Sequence, residues 1–269
     1  MAKVKVSQQG GFSLVEMAIS LFILGLLVTG GVGLLSAERT NSALKQSRDT
    51  TDNLKQHLFS FLNVNHYLPC PDTNGDGYEN RSITNFTCEA ELGRSTPFGG
   101  VPYHDLGITQ SQVRDAWGNL IRYAVNAETI LADKVCNPQS SASYFCNQSP
   151  PAFNLQHTPP FSGERGAGNL YICNESATSC SGNPSSAKLV KDAVSVVLVA
   201  YNQDGQTVLE ACNSATGATR ENCDDDIYYQ QVVTSVTRTT ITDDYLQTIS
   251  GYEIKRSLAN LVPIVISVA

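Results

Sequence analysis

The spacing of apolar and polar positions divides the chain into three stretches. Residues 17–35 carry no charged side chain. A helix over them rises about 28 Å, close to the hydrocarbon thickness of a bilayer. Further on, Leu44, Leu54, Leu58, Phe61 and Leu62 keep an apolar stripe at helical spacing among polar neighbours. Residues 12–68 contain no proline, so the pattern predicts one helix of about 50 residues, roughly 75–80 Å long. Its first half, residues 12–35, is apolar enough to lie in a membrane, and its second half, residues 36–66, is amphipathic. Gly30, Gly31 and Gly33 interrupt the apolar half, either loosening the helix, at about 1 kcal/mol each, or offering a close-packing surface.

Past His66-Tyr67-Leu68-Pro69 the pattern changes to short apolar runs between turns, which predicts a β-rich domain over residues 67–269. Strands are expected at residues 121–125, 169–173, 194–201 and 227–237. The nearly unbroken apolar run at 194–201 marks a central strand. Pro150-Pro151 and Pro159-Pro160 bracket a loop, and residues 261–268 read as a buried last strand broken by Pro263. The expected class is therefore α+β, with the amphipathic half of the helix packed on an antiparallel sheet.

The eight cysteines all lie beyond residue 69, in the succession Cys70 and Cys88, Cys136 and Cys146, Cys173 and Cys180, Cys212 and Cys223. An even number behind an export-type N-terminus reads as a disulfide framework, with sequential pairing the simplest of 105 connectivities. Each such bridge stabilises by about 2–4 kcal/mol if unstrained. Zinc is the competing reading, but there is no Cys-x-x-Cys pair and the four histidines are scattered. A formal net charge of −7 without clustered Lys or Arg argues against a nucleic-acid partner. There is no Gly-x-Ser-x-Gly elbow, P-loop or His-Glu-x-x-His, so no enzyme is expected.

Glu16 stands at the edge of the apolar span, behind a short basic leader that ends Gln8-Gln9-Gly10-Gly11. A carboxylate there costs a few kcal/mol unless paired, which makes it a functional candidate. An ordinary signal peptide would be cut after the apolar stretch, but a cut near Ser36-Ala37 leaves leucine at the −3 position. Gly11, Phe12 and Glu16 before an apolar helix resemble the type III signal of type IV pilins and type II secretion pseudopilins. The resemblance implies that residues 1–11 are a leader removed by a prepilin peptidase, which then methylates the new N-terminus at Phe12. It implies that Glu16 pairs with the N-terminal amine of a neighbouring subunit, two buried charges being tolerable only together. It further implies a single-pass subunit of the inner membrane that later joins a periplasmic or extracellular filament, its partners being other pilin or pseudopilin subunits.

Two more segments are similar to major pseudopilins. Asp115-Ala-Trp117-Gly118-Asn119-Leu-Ile-Arg-Tyr123 resembles their Asp-Pro-Trp-Gly-Asn-Pro-x-x-Tyr string, and a turn that buries Trp117 against the sheet would account for it. Leu198-Val-Ala-Tyr-Asn-Gln-Asp204-Gly205, followed by Glu221-Asn-Cys-Asp224-Asp225-Asp226, resembles the loop that binds calcium in that family and its later acidic residues. Independently, Asp72-Thr-Asn74-Gly-Asp76-Gly77 has the first half of a calcium loop, with Ile83 where a bidentate glutamate is expected and Glu79 as the nearest substitute. An ion-free Asx-rich turn has the same composition. Calcium is thus a candidate cofactor at Asp72, Asn74 and Asp76, and at Asp204, Asp224 and Asp226. The expected function is a structural filament subunit; the alternative is a calcium-dependent adhesin or binding module delivered on a pilus.

Overall fold

A computed structural model describes residues 13–83, 87–94, 96–127, 142, 170–174, 189–212, 217–231 and 244–259. Several expectations lie outside these residues: the leader with Gly11 and Phe12, Cys136, Cys146 and Cys180, the Pro150–Pro160 loop, and the strand at 261–268. The chain divides into two compact units, Met1–Ala43 and Leu44–Ala269.

The long helix exists as expected: α1 spans Leu14–Asn65, 52 residues. It stops where His66 takes a positive φ of 63° and donates its N–H to the Leu62 carbonyl at 2.7 Å. In the first unit the apolar side chains of α1 are uncovered, from Leu14 at 86% exposure through Leu21, Phe22, Ile23 and Leu24 to Leu27 at 67%. Consecutive exposed positions lie 100° apart around the helix, so no face is polar. Among the described residues no helix is long and apolar enough to cross a membrane. The side chains of residues 28–37, over which the expected span continues, are outside that set.

The second unit is a six-stranded sheet, β1 (Phe98–Gly100), β2 (Arg122–Val125), β3 (Leu170–Cys173), β4 (Leu189–Ala200), β5 (Tyr228–Gln230) and β6 (Tyr245–Ser250). Three short helices accompany it: α2 (Gly205–Glu210), α3 (Gly217–Glu221) and α4 (Gly251–Ala259). The strand order is β1-β2-β4-β3-β5, with β6 also paired to β4. Residues 196–199 of β4 sit between β2 and β6. The near-unbroken apolar run therefore does belong to the central strand: Val196, Leu198 and Ala200 enter one apolar cluster while Val197 and Val199 enter another. A strand alternates its side chains, so burial on both faces removes the polar positions.

The first cluster contains Leu54, Leu58 and Leu62 of α1, all at most 1% exposed, with Ile249 of β6 and Ile254 and Leu258 of α4. The stripe on α1 continues toward its N-terminus as Ser47 and Thr51, both fully buried. Thr51 Oγ1 satisfies itself on the Ser47 carbonyl one turn back. Phe61, expected in the stripe, is half-buried and meets the Tyr67 ring edge-on at 5.7 Å.

Two expectations need correction. The sheet is mixed rather than antiparallel, since β3 and β5 run parallel, with Tyr171 opposite Tyr228. After β4 turns back antiparallel to β3, the chain passes through α2 and α3 and returns on the far side of β3 in its original direction, a crossover that parallel pairing requires. β6 and α4 were also not anticipated. Ser250 and Glu253 begin α4 with a reciprocal cap: Glu253 Oε2 accepts the Ser250 N–H at 2.7 Å, and Ser250 Oγ accepts the Glu253 N–H at 3.2 Å.

Two expected disulfides are present, Cys70–Cys88 and Cys212–Cys223, both sequential. Cys173 is disulfide-bonded as well, and no described cysteine is free.

Candidate functional site

Three places carry chemistry. At the start of α1, Ser13 donates its backbone N–H to Glu16 Oε2 at 3.1 Å, and Met17 N–H closes the first turn on Ser13 O at 3.1 Å. The carboxylate thus sits over the unsatisfied amides of its own helix, where the helix dipole favours a negative charge. Glu16 is exposed, as are its apolar neighbours. It is an acceptor available to another donor at the price of one local bond.

The second place is built on Asp115, 5% exposed. Its Oδ1 accepts the N–H groups of Trp117 and Asn119, each at 2.9 Å. Its Oδ2 accepts Asn119 Nδ2 at 3.1 Å and the Asn202 N–H at 2.9 Å. Asn119 Nδ2 also reaches the Asn202 carbonyl at 2.6 Å, and the Ala116 N–H reaches Ser47 Oγ on α1 at 3.0 Å. Gly118 supplies the positive φ of 88° that closes the turn. The two segments singled out by their likeness to pseudopilins therefore meet, one turn gripping the other through a buried carboxylate. Trp117, expected to be the buried anchor, is only half-buried, and Asp115 takes that place. A Cβ on Gly205 would lie 2.4 Å from the Asn119 amide, so glycine at 205 permits the approach.

Acidic loops form the third. In the Asp72 loop the Asp72 carboxylate turns inward, while Asp76 is exposed. Asp72 Oδ1 accepts the N–H groups of Asn74 and Gly75 at 3.2 and 2.7 Å, and its Oδ2 that of Gly77 at 2.8 Å. Asn74 Oδ1 and Asp76 Oδ1 accept the N–H groups of Asp76 and Tyr78, and Asn74 Nδ2 donates to Asp76 Oδ2 at 3.0 Å. Glu79 is engaged elsewhere, with Arg81 at 2.8 Å and with the Cys70 N–H at 2.8 Å. The loop satisfies itself, and it is tied to the sheet where Asp72 pairs with Gly100 of β1.

Near the end of α3, Glu221, Asp224 and Asp226 bring carboxylate oxygens within 4.8 Å of one another. Burial, then the charges of Asp226 and Glu221 and a hydrogen bond shared with Asp226, push the Asp224 carboxyl up to about 7, with Arg94 opposing. Burial also raises Asp226, although its hydrogen bonds from Tyr228 and Asp224 pull the other way. Asp224 Oδ1 is buried without a hydrogen-bond partner. Arg94 holds the loop by its backbone, donating to the carbonyls of Cys223 at 3.1 Å and of Asp224. Asp225 accepts both the N–H and the hydroxyl of Thr96, at 2.9 and 2.7 Å. Asp204, expected to join this group, ends the 3-10 turn Asn202–Asp204, and its side chain lies outside the described residues. Glu221 was not among the expected ligands, although its spacing of three and five residues from Asp224 and Asp226 places it within reach around a helix end.

A family model described as the prokaryotic N-terminal methylation motif matches residues 6–32. No curated protein and no solved structure matches the chain.

Proposed function

We propose that this chain, which carries the prepilin-type signal of type IV pilins and pseudopilins, is a structural subunit of a type IV pilus or type II secretion filament and works by assembly rather than turnover. A prepilin peptidase cuts between Gly11 and Phe12 and methylates Phe12. The apolar half of α1 holds the subunit in the inner membrane, and the same half bundles with copies of itself in the filament core. Glu16 then gives up its local bond to Ser13 and receives the N-terminal amine of a neighbouring subunit. The observation that carries this reading is the methylation motif leading straight into α1, whose residues 14–27 are uncovered and apolar around the helix, with one carboxylate in the first turn. Such a surface is stable only against lipid or other helices.

Within the same reading, a calcium ion belongs at Glu221, Asp224 and Asp226 rather than at Asp72, whose oxygens are taken by its own loop. The orphaned, buried Asp224 Oδ1 and the mutual repulsion of the three carboxylates fit a hard divalent cation, which would neutralise the cluster.

Replacing Glu16 by valine tests the assembly role. The variant is expected to be cleaved normally yet to fall at least tenfold in the sheared filament fraction. Incorporation at the wild-type level would remove the docking role of Glu16.

A further inference from the structure

Tyr78, His104 and Tyr103 form a ring ladder at the surface that the filament reading leaves unused. Its construction starts at Gly77, with φ of 86°. A Cβ there would fall 2.3 Å from Tyr103 Cζ and 2.7 Å from His104 Cδ2, so the loop closes on the rings only with glycine. The His104 N–H donates to the Gly77 carbonyl at 2.9 Å. Tyr78 stacks on His104 with centroids 4.6 Å apart and planes 26° apart, and His104 lies 4.5 Å from Tyr103. Below the ladder the buried Asp72 carboxylate holds the loop by three backbone amides. Tyr78 nevertheless remains 54% exposed. A tyrosine fixed on one side and open on the other presents a ring face already ordered for contact.

The rim of the ladder is acidic. Asp76 directly precedes the Gly77-Tyr78 corner, and Asp105 directly follows His104. Burial first, then the charges of Glu79 and Asp76, raise the Asp105 carboxyl, against the Glu79 N–H that it accepts and against His104. Glu79 is paired with Arg81; exposed Asp76 accepts one hydrogen bond on each oxygen, from the Tyr78 N–H and from Asn74 Nδ2, yet no salt bridge among the described residues involves Asp76 or Asp105.

We propose that this corner is a docking site for an arginine side chain on a partner protein, the guanidinium lying on the open face of Tyr78 and donating to the Asp76 carboxylate. A planar, weakly hydrated cation gains from both features at once, the ring quadrupole and the charge at its rim. A neutral sugar could stack on the ring and donate hydroxyl hydrogen bonds to the carboxylate, but it carries no charge to pair with it or to respond to the field of the chain. A chain of net charge −7 also steers a basic partner toward it. The site stands on residues that the assembly reading does not use, so either can fail alone.

The test is a titration of the labelled full chain in neutral detergent micelles, following the amide resonances of Gly77, Tyr78 and His104. The probes are acetyl-Gly-Arg-Gly-amide, its lysine analogue and N,N′-diacetylchitobiose. The arginine peptide is expected to give saturable shifts confined to this corner, weakened by salt, with the lysine peptide binding less tightly. Tyr78→Ala and Asp76→Asn should each weaken binding about two- to fivefold, while Tyr78→Phe, which keeps the stack, should leave it unchanged. Absence of saturable shifts, or equal affinity in Tyr78→Ala with an otherwise unchanged spectrum, overturns the proposal. Tighter binding of the disaccharide than of the arginine peptide overturns it in favour of a glycan site.

Discussion

Asp115→Asn removes one oxygen from the node that joins α1, the Trp117-Gly118 turn and the segment after β4. Asp115 accepts four hydrogen bonds, two on each oxygen. Asparagine keeps one carbonyl oxygen and so preserves two of them. Whichever way its amide turns, the other two donors face an NH2 group. For a residue 5% exposed, water cannot replace the lost acceptor. Each buried donor left without a partner costs about 1–3 kcal/mol, so the substitution should destabilise the second unit by about 4 kcal/mol. Urea unfolding of the full chain in detergent, disulfides intact, reads this as a fall of about 1.5 M in the midpoint for a slope near 2–3 kcal/mol per M. Asp49→Asn, on the exposed face of α1, is the control and should stay within about 0.5 kcal/mol of wild type. If the Asp115→Asn midpoint falls by less than about 0.3 M at unchanged slope, the carboxylate does not hold the node.

Two further outcomes concern Glu253 and the acidic cluster near the end of α3. Burial would raise the Glu253 carboxyl, but the hydrogen bond from Lys55 and those from Ser250 outweigh it and hold it below the usual range. A depressed folded value means that its stabilisation is present above the unfolded value, about 4.3, and is lost as pH falls through the folded one. The side chain is 42% exposed, so Glu253→Gln should cost only about 0.5–1 kcal/mol at pH 7, and the difference from wild type should shrink as pH falls below the unfolded value of about 4.3; a gap that stays constant through the acid limb of unfolding would contradict this. Calcium at about 100 times its dissociation constant should stabilise the chain by about 2.7 kcal/mol. Asp224→Asn should abolish the rise in melting temperature, and an unchanged melt in millimolar calcium would refute the site.

Much of the fold was legible because single patterns dictated it. A proline-free run with an apolar stripe could only be the long helix, and the two-faced apolar run 194–201 could only be central. The Cys70–Cys88 and Cys212–Cys223 bridges are the short closures that neighbouring cysteines favour. The parallel β3–β5 pairing was hidden because a strand's direction relative to a non-consecutive partner leaves no mark on its own pattern. β6 escaped because only Leu246, Thr248 and Ile249 are buried and no turn separates it from α4, yet the Ser250-Gly-Tyr-Glu253 cap was there to be read. The Asp115 node was misassigned to Trp117, since size suggested the anchor while the hydrogen-bond requirement decided it. Glu221 stood in the acidic run yet was not expected as a ligand, because the run alone does not show that the α3 end brings Glu221 to the aspartates.

The central claim, a prepilin-type subunit, is tested most directly by intact mass and N-terminal sequencing of the chain recovered from its native membrane or sheared surface fraction. The expected product begins at N-methylated Phe12, lacks Met1–Gly11 and retains the apolar half of α1. A chain that still carries Met1–Gly11, or one cut beyond the apolar stretch, would contradict it.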